Sequence, residues 1–131
     1  MKWSTAVNMR KNLGVILSGL LVGATMVLGV GGCTAGSVPE APANEPVLQM
    51  GQEIYASSCR GCHRPNGAGG SGPRLNEGRM LEQFPDINDQ IARVRDGKGG
   101  MPAFGERYTA EEIEAVVRYT REVLSAPGVG E

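Results

Sequence analysis

Apolar positions gather into four blocks separated by polar and glycine-rich stretches. The first, Leu13 to Val30, is broken only by Gly, Ser and Thr and follows the basic residues Lys2, Arg10 and Lys11. A basic start leading into an apolar run is the pattern of an export signal. At about 18 residues the run could also cross a membrane as a marginal helix. A second block, around Met50, reads as a helix. In the third, Ile87, Ile91 and Val94 recur at i, i+4 and i+7, with Asp86 or Asn88 available as cap and Gly97 as stop, which predicts a short amphipathic helix. The fourth opens with Thr109-Ala110-Glu111-Glu112, a capping box. It carries Ile113, Val116, Val117, Thr120 and Leu124 along one face until Pro127 and Gly128 end it. No strand-rich pattern surrounds the central segment, and the expected fold class is all-α, with three main helices and long loops.

Composition adds a constraint. Of 131 residues 20 are glycine and only 5% are aromatic, and Trp3 lies in the export signal. A small domain so composed has a thin core and needs a staple: a disulfide, a metal or a large apolar cofactor. The net charge of −1 hides an asymmetry, because residues 1–32 hold three basic residues and no acidic one. The remainder has ten basic against fourteen acidic residues, a net −4, which argues against nucleic acid as a partner.

The apolar run closes with Val30-Gly31-Gly32-Cys33. This resembles the bacterial lipobox, which implies lipidation of Cys33 and removal of residues 1–32; an uncleaved anchor and simple secretion are the alternatives. All three export the domain. Several acyl chains, at about 0.8 kcal/mol per buried CH₂, would hold it stably to the outer face of the cytoplasmic membrane. Thr34 to Pro46, TAGSVPEAPANEP, has three prolines and no apolar periodicity. It reads as a disordered tether with roughly 40 Å of extended reach, ahead of a domain at 47–131.

The centre of interest is Cys59-Arg60-Gly61-Cys62-His63, which holds two of the three cysteines and the only histidine. A redox dithiol needs C-x-x-C after a strand in an α/β pattern, and that pattern is missing. A structural zinc site needs four ligands, and the only other cysteine is Cys33, 26 residues upstream. The remaining reading is covalent haem attachment, for which C-x-x-C-H is the signal. The spacing sets two thiols about one turn apart for two thioethers, and the histidine follows directly as an axial ligand to iron. With no second histidine, a methionine is the candidate for the opposite side. Beyond the export signal these are Met50, Met80 and Met101. Met101 lies 38 residues after His63 in GKGGMPAF, a loop that can lay a thioether on a flat ring. Met80, in RMLEQF, reads as the apolar face of a short turn.

With these residues the chain resembles the class I c-type cytochromes, the short bacterial and photosynthetic monohaem type, over residues 47–125. VLQMGQEIYASSCRGCH is similar to the family's N-terminal helix running into its haem motif. The resemblance implies that Gly51 and Tyr55 lie where this helix crosses the C-terminal one, with Tyr119 opposite. It also implies that the carbonyl of Pro73 accepts a hydrogen bond from His63. Arg74 is the candidate partner for a haem carboxylate, with a solvated loop arginine equally open. Lys98, Arg60 and Arg64 read as docking or solubility charges. The loop Pro65 to Gly72 offers no side chain for gating or catalysis.

If His63 and Met101 fill both axial positions, one-electron shuttling is the chemistry that remains, and the chain is a carrier rather than an enzyme. The expected function is a membrane-tethered carrier, monomeric when free, between a quinol-oxidising complex and a terminal oxidase or photosynthetic reaction centre. The alternative is a permanently bound haem c subunit of a membrane dehydrogenase or oxidase complex.

Overall fold

The computed structural model describes residues 36–129. The export-signal run, the boundary at 32/33 and Cys33 lie outside them. The architecture is helical. Helix α1 (Pro46–Ile54) continues through a π-helical turn, Tyr55–Cys59, into the short α2 (Arg60–His63). After a glycine-rich loop come the short α3 (Arg79–Gln83), α4 (Ile87–Asp96) and α5 (Ala110–Tyr119), the last extended by a second π-helical turn, Thr120–Leu124. Among the described residues the sole strand-like feature is a β-bridge between Lys98 and Met101.

Local sequence accounts for the boundaries. Pro46 occupies the first turn of α1, where a missing N–H costs nothing. The Asp86 carboxylate accepts from the Asn88 amide at 2.8 Å, so Asp86 is the cap of α4, and Gly97 with φ 68° ends it. At α5 the Thr109 hydroxyl accepts from Glu112 N at 3.2 Å, and the Glu112 carboxylate accepts from Thr109 N at 2.8 Å. The predicted capping box is complete.

Packing centres on the crossing of α1 and α5. A Cβ on Gly51 would stand 2.2 Å from the Ala115 carbonyl oxygen and 2.7 Å from Tyr119 Cβ, so the helices touch backbone to backbone there. One turn on, Tyr55 and Tyr119, both fully buried, bring their rings to 5.6 Å between centroids at 46°. That tilted geometry is favoured by aromatic quadrupoles. The predicted face of α5 is buried throughout: Ile113, Val116, Val117, Thr120 and Leu124.

One expectation is extended and another is corrected. In α4, Ile87, Ile91 and Val94 are only half-buried, and Gln90 is the buried residue. Its amide donates to Thr120 Oγ1 at 2.9 Å, and its carbonyl accepts from Arg121 at 3.1 Å. A satisfied polar network therefore joins α4 to the C-terminal helix where apolar periodicity pointed to aliphatic packing. The second concerns the tether. Val38 and Ala41 pack against the core, Ala41 N donates to Gln52 Oε1 at 2.7 Å, and the Tyr119 hydroxyl donates to the Pro39 carbonyl. From Val38 onward the segment is a strap fastened across α1 and α5, so the reach expected of thirteen free residues does not apply.

Gly51→Ala is expected to destabilise the domain by about 1–3 kcal/mol, since backbone on the far side must move. At roughly 4–8 °C per kcal/mol for a domain of this size, a thermal melt reads this directly. An unchanged melting temperature would refute the close crossing.

Candidate functional site

The π-helical turn delivers the cysteines. Arg60 N bonds to the Tyr55 carbonyl, an i→i+5 closure that widens one turn immediately before the motif, a frequent device at functional sites. The facing helix repeats it, Ser125 N bonding to Thr120 O at 3.1 Å. Cys59 is thereby half-buried on the inner side and Cys62 is exposed. Burial, with Cys62 nearby, pushes the Cys59 thiol up to about 11, the reverse of the depressed thiol in a reactive dithiol. Among the described residues no three His, Cys, Asp or Glu side chains converge as metal ligands.

His63 is buried, at 7% exposure. Its Nδ1 lies 2.7 Å from the Pro73 carbonyl oxygen, so Nδ1–H donates, the tautomer is set and Nε2 is left as the ligating nitrogen. Behind the ring is Gly72: a Cβ there would stand 2.7 Å from His63 Cε1. Sequence reasoning missed this glycine, although it directly precedes Pro73. The loop that offered no useful side chain works through its backbone. Gly69 N donates to His63 O and Gly72 N to Cys62 O, both at 3.0 Å, which ties the loop to the motif. The fully buried Asn76, also missed, donates to Asn66 O at 3.1 Å and closes the loop from below.

Chain direction after the motif is set by strain. Arg64 has φ 66° and ψ 159°, a region otherwise nearly restricted to glycine that costs about 1–3 kcal/mol. Its carbonyl is held by the Tyr55 hydroxyl at 2.7 Å and by Gly67 N at 3.1 Å. The core tyrosine thus reaches the residue next to His63.

Two adjoining clefts share Cys59, His63, Pro73, Lys98 and Met101 as lining. Met101 is half-buried and stands in a tight turn: Lys98 N donates to Met101 O at 3.0 Å and Met101 N to Lys98 O at 3.1 Å. Gly97 is required because a Cβ would meet Met101 O at 2.6 Å. Met80 is buried at 2% exposure and lines the first cleft only; Met50 lies in α1 against the core. Arg74 lines neither cleft and pairs with Glu77 on the surface. Of the two readings open for Arg74, this surface pair fits the loop arginine.

These residues fit a haem c. The walls are mainly aliphatic and aromatic (Tyr55, Leu75, Val94, Val116, Val117), the thiols are free and lie one turn apart, and the histidine ring is pre-oriented. The shallow glycine floor at residue 72 leaves that ring room and no more.

Known proteins agree with the geometry. Residues 46–119 match the family model described as "Cytochrome C oxidase, cbb3-type, subunit III". The chain is 35% identical to cytochrome c6 of Bryopsis maxima over 55% of this chain and 86% of that protein. It is 34% identical to the cbb3-type cytochrome c oxidase subunit FixP of Azorhizobium caulinodans over 60% of this chain, but spans only 28% of that protein. Among solved structures, cytochrome cL of Hyphomicrobium denitrificans superposes with a TM-score of 0.51 at 26% identity, covering 57% of this chain and 46% of that one. The chain therefore belongs to the family of the cbb3-type oxidase subunit III domain and is a class I monohaem c-type cytochrome, an electron-transfer protein with one haem c joined through Cys59 and Cys62.

Proposed function

We propose that this chain is a membrane-tethered one-electron carrier in which His63 and Met101 are the axial ligands. The observation that carries the reading is that both side chains line the same two clefts with Cys59. One comes from the end of the first helix and the other from a glycine-built turn 38 residues later. Bound there, haem c supplies an Fe(III)/Fe(II) couple. Pro73 holds the His63 ring and raises its basicity, and the thioether of Met101 favours the reduced state relative to a second histidine. Held by His63 and Met101, the haem would supply one-electron transfer and would offer a substrate no open position on the iron.

Export, lipidation at Cys33 and residence on the outer face of the cytoplasmic membrane complete the proposal. The supporting feature is Val30-Gly31-Gly32-Cys33 after the apolar run. Because the strap is fastened from Val38 onward, such a carrier works close to its anchor, among quinol-oxidising complexes, terminal oxidases or reaction centres in the same membrane. High local concentration then replaces diffusion, and docking is through a small, weak patch. A second reading, a fixed haem subunit of a membrane oxidase or dehydrogenase, is favoured by the family model and by the FixP relative.

Met101→Ala is expected to abolish the iron–sulfur charge-transfer band at the red end of the visible spectrum of the oxidised protein, and Met80→Ala to keep it. The reverse pattern refutes the ligand assignment. Gly72→Ala is expected to lower holoprotein stability by about 1–3 kcal/mol, with loss of uniform low-spin spectra because the His63 ring is displaced; an unperturbed spectrum and melt would contradict the cradle. Cys33→Ser is expected to move the haem-stained protein out of the membrane fraction. In detergent, a wild-type band at the size of the free chain supports the carrier, and a large stable complex supports the subunit.

A further inference from the structure

The two clefts contain no carboxylate among their lining residues, and the only lysine or arginine side chains that line them are Arg93 and Lys98. Elsewhere, four arginines are ion-paired, Arg74 with Glu77, Arg79 with Glu82, Arg95 with Asp96 and Arg118 with Glu122, whereas Arg60, Arg64, Arg107 and Arg121 line neither cleft and have no such pair among the described residues. Arg93 and Lys98 have no acidic partner among the described residues. Arg93 is half-buried, and its guanidinium carbon lies 5.6 Å from the centroid of the Phe84 ring, itself part of the cleft wall. Phe84 is fastened in turn, its carbonyl accepting from Arg121 at 2.8 Å. The neighbouring polar group in the wall, Gln90, is already satisfied by Thr120 and Arg121. An oriented cation facing a mainly apolar cleft therefore calls for an anionic group on whatever fills it, since an uncompensated charge there is costly.

We propose that Arg93, with Lys98 as a more exposed second cation, compensates the carboxylates of the haem and by its charge holds the redox potential up. The inference rests on the haem c reading of the cleft. The sign follows from charge alone. The oxidised iron carries one more positive charge than the reduced iron, haem carboxylates favour the oxidised form, and a cation beside them offsets that preference. Arg93 acts as a positioning and charge-setting residue, and a planar guanidinium suits a carboxylate better than an ammonium does.

The test is a redox titration of full-length holoprotein for Arg93→Gln, Arg93→Lys, Lys98→Gln and Arg74→Gln. A pyridine haemochrome spectrum of each verifies that haem is covalently attached, so failure of the cofactor reading is seen separately. Arg93→Gln is expected to shift the oxidised-to-reduced ratio at fixed potential toward the oxidised form by about tenfold, about 59 mV for one electron. Arg93→Lys should recover most of this shift, Lys98→Gln should shift the ratio less in the same direction, and Arg74→Gln should stay within twofold of wild type. Arg93→Gln within twofold of wild type overturns the proposal. So does an equal shift from Arg74→Gln, or an equal shift from Arg93→Lys, which would assign the loss to something other than charge.

Discussion

Everything at the site depends on the backbone contact between α1 and α5 at Gly51. A missing side chain lets Ala115 O come within a distance no Cβ would tolerate, and that approach brings Tyr55 and Tyr119 into contact one turn later. Tyr55 then reaches Arg64 O, which fixes the strained residue directly after His63. The chain of causes runs from one glycine, through two rings, to the backbone that aims a ligand. In a domain with 5% aromatic residues, the few present are concentrated where they do structural and positional work together.

The same economy governs the loops. Glycine serves here less as a flexible spacer than as an allowance of space: Gly72 admits the imidazole and Gly97 admits the Met101 carbonyl. Both loops are fastened by backbone bonds, the first to Cys62 O and His63 O, the second across Lys98 and Met101 and back onto the last turn of α4 through Phe104 N and Gly105 N. A rigid backbone on both sides suits one-electron transfer, in which little should move between the two oxidation states. The polar network of Gln90, Thr120 and Arg121 stiffens the cleft wall in the same way, and aliphatic residues of equal volume would not supply the orientation it gives to Phe84.

The segment ahead of α1 is also held at the α1–α5 crossing. The strap from Val38 to Glu45 hydrogen-bonds Gln52 and Tyr119, residues of the two crossing helices. From Val38 onward the segment is fastened to both crossing helices rather than free.

Much of this was legible in the residues. C-x-x-C-H names its cofactor because few chemistries need two thiols and an imidazole at that spacing. The capping box at Thr109 and the apolar face of α5 follow from hydrogen-bond geometry and period within one helix. The resemblance to class I cytochromes located Gly51, Tyr55, Tyr119 and Pro73, and the hydrogen bond from His63 to Pro73 is present. What the sequence left undecided involves partners distant in the chain. Gln90 is buried only because Thr120 and Arg121 stand opposite it, Gly72 matters only because His63 folds back over it, and Pro39 is held only because Tyr119 is 80 residues away with a hydroxyl to donate. Arg74 and Arg93 are indistinguishable by composition, and only folding shows one spent on Glu77 and the other facing the cleft. Local periodicity determines elements because its interactions lie within a turn or two. Burial, steric allowance and charge compensation are properties of surfaces that meet, and only the tertiary structure decides which surfaces those are.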